Sequence, residues 1–140
     1  MLEKSAELDI CVIGEGEDAI VKLLDILSKG ESLEKAGSIA FKKNGKIITT
    51  ERIQRIKNIN DISLPAWDLF PVDAYLNHEF GSGVNRGRSM PMLSSRGCPF
   101  QCTFCSSPSM WTTRYFAREP NKVADEIEFY QKRYDVNNIN

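Results

Sequence analysis

Three cysteines lie within eight residues of this 140-residue chain, in the segment Cys98-Pro-Phe-Gln-Cys102-Thr-Phe-Cys105. A loop this tight can place all three sulfurs around one inorganic centre, and it offers three ligands where a structural zinc site takes four. A 4Fe–4S cluster held by three thiolates leaves one iron without a protein ligand. The spacing therefore favours an iron–sulfur cluster over a closed zinc site.

Zinc stays open as an alternative, with Cys11 or His78 as the fourth ligand. Cys11 lies in an apolar stretch, where a free cysteine is expected to be a small buried side chain. His78 lies in a connecting segment. Under this alternative the chain is a colourless, non-catalytic metal-binding module, whereas an iron–sulfur protein is brown.

Positive charge is concentrated around the cysteines. Residues 81–118 hold five of the 18 Lys and Arg residues and none of the 19 Asp and Glu residues. Cations near a cysteine favour its deprotonated form, and the same field favours a bound carboxylate. Because no aromatic platform accompanies the arginines, nucleic-acid binding is not expected.

The composition is that of a globular protein, 41% hydrophobic and 26% charged. No stretch is long and apolar enough to span a membrane, and residues 2–8 are too charged for a secretory signal. Four cysteines in a chain that is not secreted indicate metal ligands or buried thiols rather than disulfides. We therefore expect a cytoplasmic protein without membrane contacts.

The residues before the cysteines predict α/β structure. Residues 8–13 are apolar and predict a buried parallel strand. A Gly14-Glu-Gly-Glu17 loop leads from it into a helix with acids in its first turn and Gly30 at its end. The apolar residues of this helix recur at helical spacing: Ile20, Leu23, Leu24 and Leu27. An Asn44-Gly45 pair between two apolar runs then predicts a hairpin.

The cysteine loop is expected to follow a strand. Residues 90–94 predict that strand, and sites in barrels and open α/β sheets are built at the carboxyl ends of strands. Pro120 suits the first position of a helix. That helix has one apolar face, made of Val123, Ile127, Tyr130 and Tyr134. A second strand is expected to begin within residues 136–140.

The cysteine segment and its flanks resemble radical S-adenosylmethionine (SAM) proteins that carry a cobalamin-binding domain. This group includes the anaerobic magnesium-protoporphyrin ester cyclases and many methyltransferases. The flanks that carry the resemblance are residues 91–97, residues 106–111 and Arg118-Glu-Pro120. Residues 13–17 with the following helix resemble the last strand, loop and helix of that group's cobalamin domain, and residues 64–69 resemble its linker.

The resemblance implies an α/β fold with three parts. Residues 1–50 would be the C-terminal tail of a Rossmann-like cobalamin-binding domain that includes the hairpin. Residues 51–88 would be a linker, and residues 89–140 would be the first βα unit of a radical SAM barrel of partial TIM type. Because a complete barrel needs about 200 residues or more, the resemblance also implies that the chain is a fragment of a longer protein.

The resemblance further implies a ligand set. Cys98, Cys102 and Cys105 would bind the 4Fe–4S cluster, and Phe104 would lie near the adenine of SAM. The cobalamin would be lined by the glycines and acids of one loop: Gly14, Glu15, Gly16 and Glu17. A plain strand-to-helix turn is the alternative for that loop.

The implied reaction is reductive cleavage of SAM to methionine and a 5′-deoxyadenosyl radical, followed by methyl transfer or cyclisation on an unidentified small molecule. A flavodoxin or ferredoxin would supply the electron. A methylthiotransferase-type radical SAM protein is the alternative within the enzyme class. Its usual Pro-x-x-Arg-Gly stretch after the last cysteine is replaced here by Ser106-Ser-Pro-Ser-Met110.

Overall fold

A computed structural model describes residues 2–78 and 86–140. The chain divides into two compact units, one of Met1–Lys57 with Gly97–Tyr115 and the other of Asn58–Arg96 with Phe116–Asn140. The strands are β1 Ile10–Val12, β2 Ile39–Lys43, β3 Lys46–Thr49, β4 Ser89–Met90, β5 Ser95–Arg96, β6 Phe116–Ala117 and β7 Asn138–Ile139. The α-helices are α1 Glu17–Ser28, α2 Val72–Asn77, α3 Ser107–Trp111 and α4 Pro120–Tyr134.

The first unit is built on a three-stranded antiparallel sheet in the order β1-β2-β3. The predicted hairpin is confirmed, because β2 and β3 pair on either side of Asn44 and Gly45. Both turn residues have positive φ, 50° and 74°, as a two-residue turn matched to the strand twist requires. The hairpin gives β1 its partner, with Ile10 opposite Phe41.

The prediction of a buried parallel strand at residues 8–13 is wrong. Only Ile10–Val12 form a strand, it pairs antiparallel with β2, and all three residues are half-buried. An apolar run does not specify strand direction, and here the hairpin offers an antiparallel edge close by in sequence. Cys11, expected to be fully buried, is therefore half-buried opposite Ala40.

Helix α1 covers the sheet of the first unit. Its Leu23 and Ile26 pack with Ile39 and Phe41 of β2 in one apolar core. Glu17 and Asp18 lie in its first turn, as predicted. At its end Gly30 adopts φ 63°, and the amide of Glu31 donates to the carbonyl of Ile26 at 3.0 Å, which is a glycine-terminated helix end.

The predicted apolar face of α1 is only partly right. Of the predicted residues Leu23 alone is buried, while Ile20, Leu24 and Leu27 are about half exposed or more, at 48%, 60% and 49%. The helix sequence contains two overlapping apolar stripes. The buried one runs through Ala19, Leu23 and Ile26.

The second unit contains a β–α–β arrangement. Strand β4 pairs parallel with β7, with Met90 opposite Ile139, and α4 lies between them in sequence. The predicted helix at Pro120–Tyr134 and the predicted strand within residues 136–140 are both confirmed. The core of this unit is formed by Val72, Leu76, Met90, Tyr130, Tyr134 and Val136.

The single strand predicted at residues 90–94 is wrong. β4 ends at Met90, and a separate strand, β5, pairs antiparallel with β6. Beyond Met90 one further bond to the same partner is made, from the amide of Met92 to the carbonyl of Asn140 at 3.0 Å, and Ser95 and Arg96 then pair with a different strand. The β5–β6 pair joins the two ends of residues 97–115, the segment that carries the cysteines.

Across residues 2–78 and 86–140, none of the helices has both the length and the apolar character that crossing a bilayer would require.

Candidate metal centre

The three cysteines lie in the first unit, on the loop that precedes α3. Cys98 is half-buried, Cys102 and Cys105 are exposed, and all three are free thiols. The amide of Cys105 donates to the carbonyl of Cys102 at 3.1 Å, which makes a tight turn between them. The amide of Ser107 donates to Sγ of Cys105 at 3.4 Å. Hydrogen bonds to ligand sulfurs are one means by which proteins adjust the potential of an iron–sulfur cluster.

The donor chemistry of this loop fits a cluster, but the sulfurs are not gathered. In the part of the chain that the structure describes, no three His, Cys, Asp or Glu side chains converge on a point where a metal ion could sit. Cys11 lies within β1, and His78 directly follows α2. Cluster binding would therefore require the loop to draw its three thiols together.

Phe104 is the most exposed large apolar residue among those described. Its exposed fraction is 91%, and that of Phe100 on the same loop is 70%. Free aromatic side chains of this size on a short loop contribute no burial energy to the unit that carries them. They are available to a ligand.

Residues 14–16 of the Gly14–Glu17 loop lie between β1 and α1, as predicted, and Glu17 is the first residue of the helix. Gly14 has φ 84°, and a Cβ there would lie 3.6 Å from the carbonyl oxygen of Met110. Gly16 precedes the helix with an ordinary φ of −90°, and a Cβ there would meet nothing within 4 Å. Gly16 is therefore the position of the loop that faces open space.

Glu15 is buried beside Arg55. The Glu15 side chain is 8% exposed and that of Arg55 is 15% exposed, and Nε of Arg55 lies 3.6 Å from Oε1 of Glu15. The second carboxylate oxygen accepts a hydrogen bond from the amide of Ile56 at 2.8 Å. The loop is thereby attached to residues 55–56.

Arg55 also bonds to the chain that follows the cysteines. Its Nη1 donates to Oγ1 of Thr112 at 3.4 Å and to the carbonyl oxygen of Arg114. That carbonyl in turn lies against Gly97, which has φ 86° and where any Cβ would collide with it. Gly14, Glu15, Arg55, Met110 and Thr112 line a cleft of about 160 Å³.

Sequence reasoning missed Arg55 and Thr112. Arg55 lies in an unpatterned stretch, residues 51–58, that forms no helix or strand. Its partners lie 57 and 59 residues away along the chain. No local signal marks such a contact.

In the second unit, Arg118 holds the backbone just before the cysteines. Its amide donates to the carbonyl of Ser94 at 2.9 Å, and its Nη1 donates to the carbonyl of Leu93 at 3.0 Å. The guanidinium forms an ion pair with Glu126, whose side chain is 4% exposed. Glu126 is charged, yet it faces the interior of this unit.

Glu126 is also bonded to the aromatic core. The hydroxyl of Tyr130 donates to Glu126 and accepts from Nε1 of Trp67 at 3.0 Å. Burial, with the hydrogen bond to Glu126 adding to it, raises the pKa of Tyr130 to about 12. A connected chain of polar groups therefore runs from the core to residues 93–94.

Arg88 and Arg118, which belong to the positively charged residues 81–118, have local partners of opposite charge. Arg118 pairs with Glu126, and Nη2 of Arg88 lies 3.1 Å from Oδ1 of Asp73. Arg88 also donates to the carbonyl of Tyr134 at 2.8 Å, where α4 ends. Their charges are balanced by these carboxylates.

No protein-family model matches the sequence. An uncharacterised methyltransferase from Pyrococcus horikoshii is 33% identical over 132 residues, covering 94% of this chain and 27% of the relative. The anaerobic magnesium-protoporphyrin IX monomethyl ester cyclase of Synechocystis sp. is 30% identical over 140 residues, covering 100% of this chain and 26% of the relative. The chain is a homologue of these enzymes. It spans about a quarter of their length.

Among solved structures, the chain resembles the radical SAM methyltransferase TsrM from Kitasatospora setae, with tryptophan and a SAM analogue bound. The TM-score is 0.65 at 18% identity, covering 93% of this chain and 25% of TsrM. A second TsrM structure, with cobalamin and a [4Fe–4S] cluster bound, gives a TM-score of 0.55. The mixed α/β fold of this chain thus resembles part of TsrM. The predicted resemblance to cobalamin-binding radical SAM proteins is confirmed.

Proposed function

We propose that the protein containing this chain is a radical SAM enzyme that uses cobalamin for methyl transfer or cyclisation. The observation that carries the proposal is the set of three free thiols on one loop, in a chain homologous to methyltransferases and cyclases. The number of thiols matters, because three ligands leave one iron open to SAM.

Cys98, Cys102 and Cys105 would hold the cluster. When bound, it supplies the electron that cleaves SAM into methionine and a 5′-deoxyadenosyl radical, as such cofactors carry the demanding chemistry themselves. The chain supplies ligation and orientation. The amide of Cys105 bonds to the carbonyl of Cys102 in a tight turn, and the Ser107 amide donates to the sulfur of Cys105.

Phe104 would lie against the adenine of SAM. Its 91% exposure and its place directly before Cys105 support this role. An aromatic face stacked on a base contributes about 1–3 kcal/mol in nucleic-acid complexes, which sets the scale for such a contact.

The Gly14–Glu17 loop would line the cobalamin. Gly16 supports this, because its Cα faces open space where backbone can approach a ligand closely. Gly16→Val should therefore lower the cobalamin content of the reconstituted protein and leave its iron content unchanged. Equal cobalamin in the variant and the wild type would remove this loop from the site.

The same proposal divides the chain into three parts. Residues 1–50 would close the cobalamin domain, residues 51–88 would link it, and residues 89–140 would open the radical SAM barrel. Residues 79–85 of that linker lie outside the described residues. We propose a flavodoxin or ferredoxin as the reductant, a small molecule as the substrate and the cytoplasm as the compartment.

The proposal is tested by anaerobic reconstitution of the full-length protein with iron and sulfide, followed by reduction in the presence of SAM. We expect a brown protein that produces 5′-deoxyadenosine and methionine. A colourless protein that retains zinc would favour a non-catalytic metal-binding module. Transfer of a methylthio group would favour a methylthiotransferase.

A further inference from the structure

We propose that Arg55 is a positioning residue that couples the Gly14–Glu17 loop to the cysteine loop, so that ordering one loop orders the other. The inference rests on the proposed function, which assigns a cofactor to each loop. All the contacts involved lie within the first unit.

Glu15 anchors one side of this coupling. Its carboxylate is 8% exposed, lies 3.6 Å from Nε of Arg55 and accepts from the amide of Ile56 at 2.8 Å. A buried carboxylate that loses its cation is strongly destabilised. The position of the Gly14–Glu17 loop therefore depends on where Arg55 lies.

Thr112 and Arg114 form the other side, which we call the return segment, residues 112–114. Arg55 donates to Oγ1 of Thr112 and to the carbonyl of Arg114. Thr112 has φ 59° and ψ −174°, a region occupied almost only by glycine. Such a conformation persists where surrounding contacts fix it, and Arg55 supplies two of them. A planar guanidinium with five donors suits this task better than an ammonium group.

The return segment reaches the first cysteine through Gly97. The carbonyl of Arg114 lies against Gly97, which has no side chain and adopts φ 86°. Because Gly97 directly precedes Cys98, a shift of the return segment displaces the start of the cysteine loop. The chain of contacts therefore runs from Glu15 through Arg55 and Arg114 to the residue before Cys98.

Two sites that bias one shared element are thermodynamically linked, and the linkage acts equally in both directions. Cluster binding must draw three separated thiols together, and that change is expected to reach the Gly14–Glu17 loop through Arg55. Reported couplings of this kind are about 5- to 150-fold.

The experiment compares amide hydrogen exchange in the full-length protein before and after anaerobic cluster reconstitution. In the wild type we expect slower exchange in peptides covering residues 97–115 and also in peptides covering residues 13–18. In Arg55→Gln we expect slowing at residues 97–115 alone, with the response at residues 13–18 reduced at least about fivefold. Arg52→Gln is the matched control, since Arg52 is an exposed arginine in the same segment, and it should respond like the wild type.

Glu15→Gln is a second variant that keeps an acceptor for the Ile56 amide but removes the charge facing Arg55. It should also lose the slowing of hydrogen exchange at residues 13–18. If Arg55→Gln does not fold, Glu15→Gln tests the coupling in its place. Arg55→Lys, which keeps the charge but not the fork of donors, should restore only part of the response.

The failures of the two proposals are distinguishable. An undiminished response at residues 13–18 in Arg55→Gln or Glu15→Gln would overturn the coupling and leave the cluster assignment standing. A response at residues 97–115 alone in the wild type would do the same. A wild type that takes up no cluster would overturn the proposed function and this inference with it.

Discussion

Tyr130 shows how single residues of this chain are constrained by polar partners. It is fully buried, donates to Glu126 and accepts from Trp67. Ionising its hydroxyl would place a second negative charge beside Glu126, away from water. This is why burial and the Glu126 contact raise the pKa of Tyr130 to about 12.

The raised pKa predicts a loss of stability at high pH. An unfolded tyrosine ionises at about pH 10, whereas Tyr130 in the folded state has a pKa of about 12. Its contribution is therefore fully present below about pH 10 and is lost as the pH rises through about 12, because the unfolded state releases its proton first. Unfolding free energies measured in urea from pH 9 to about pH 12 test this window.

Two Tyr→Phe variants test whether Tyr130 is the group whose ionisation lowers the stability. Tyr130→Phe should weaken the decline in that pH range, and Tyr115→Phe should keep it, because Tyr115 is 60% exposed to water. Equal declines in the wild type and Tyr130→Phe would assign the pH dependence to other groups.

Gly97 gives a second prediction at the scale of one residue. Any side chain there is strained by φ 86° and collides with the backbone carbonyl of Arg114. We expect Gly97→Ala to cost about 1–3 kcal/mol locally and to lower the iron content of the reconstituted protein severalfold. Gly16→Ala, at an open position with ordinary φ, should retain wild-type iron. Full iron in both variants would show that the geometry at Gly97 does not matter to the loop.

At the scale of elements, local chemistry predicted those structures whose determinants are local. Helix α4 begins at its proline, and the hairpin turns at Asn44-Gly45. The direction of β1 and the buried side of α1 were not predictable in this way. Both depend on which surface of the sheet is available, and an all-apolar stretch does not encode that.

The orientation of α1 can be tested with adjacent leucines. Leu23 is 7% exposed and packs against β2, whereas Leu24 is 60% exposed. Leu23→Ala should lower the free energy of unfolding by about 2–5 kcal/mol, and Leu24→Ala should change it by less than about 0.5 kcal/mol. Similar losses from the two variants, measured by urea denaturation, would mean that α1 buries a different face.

At the scale of the whole molecule, the resemblance to a protein family could be predicted from the sequence, whereas the contacts between loops that are distant in sequence could not. The cysteine spacing is local and specific, so it could be interpreted without coordinates. Arg55 could not be found in this way. Its contacts are 57 and 59 residues distant, and those of Glu15 are 40 or more residues distant.

The central claim is that Cys98, Cys102 and Cys105, and no other cysteine, hold a cluster. Its most direct test is the iron content and visible absorption of the full-length protein after anaerobic reconstitution, in four single alanine variants. Cys98→Ala, Cys102→Ala and Cys105→Ala should each lose the brown chromophore, because a cluster with two protein ligands is poorly held. Cys11→Ala, in the half-buried strand β1, should keep it. Full cluster occupancy in Cys102→Ala, or loss of the cluster in Cys11→Ala, would contradict the assignment.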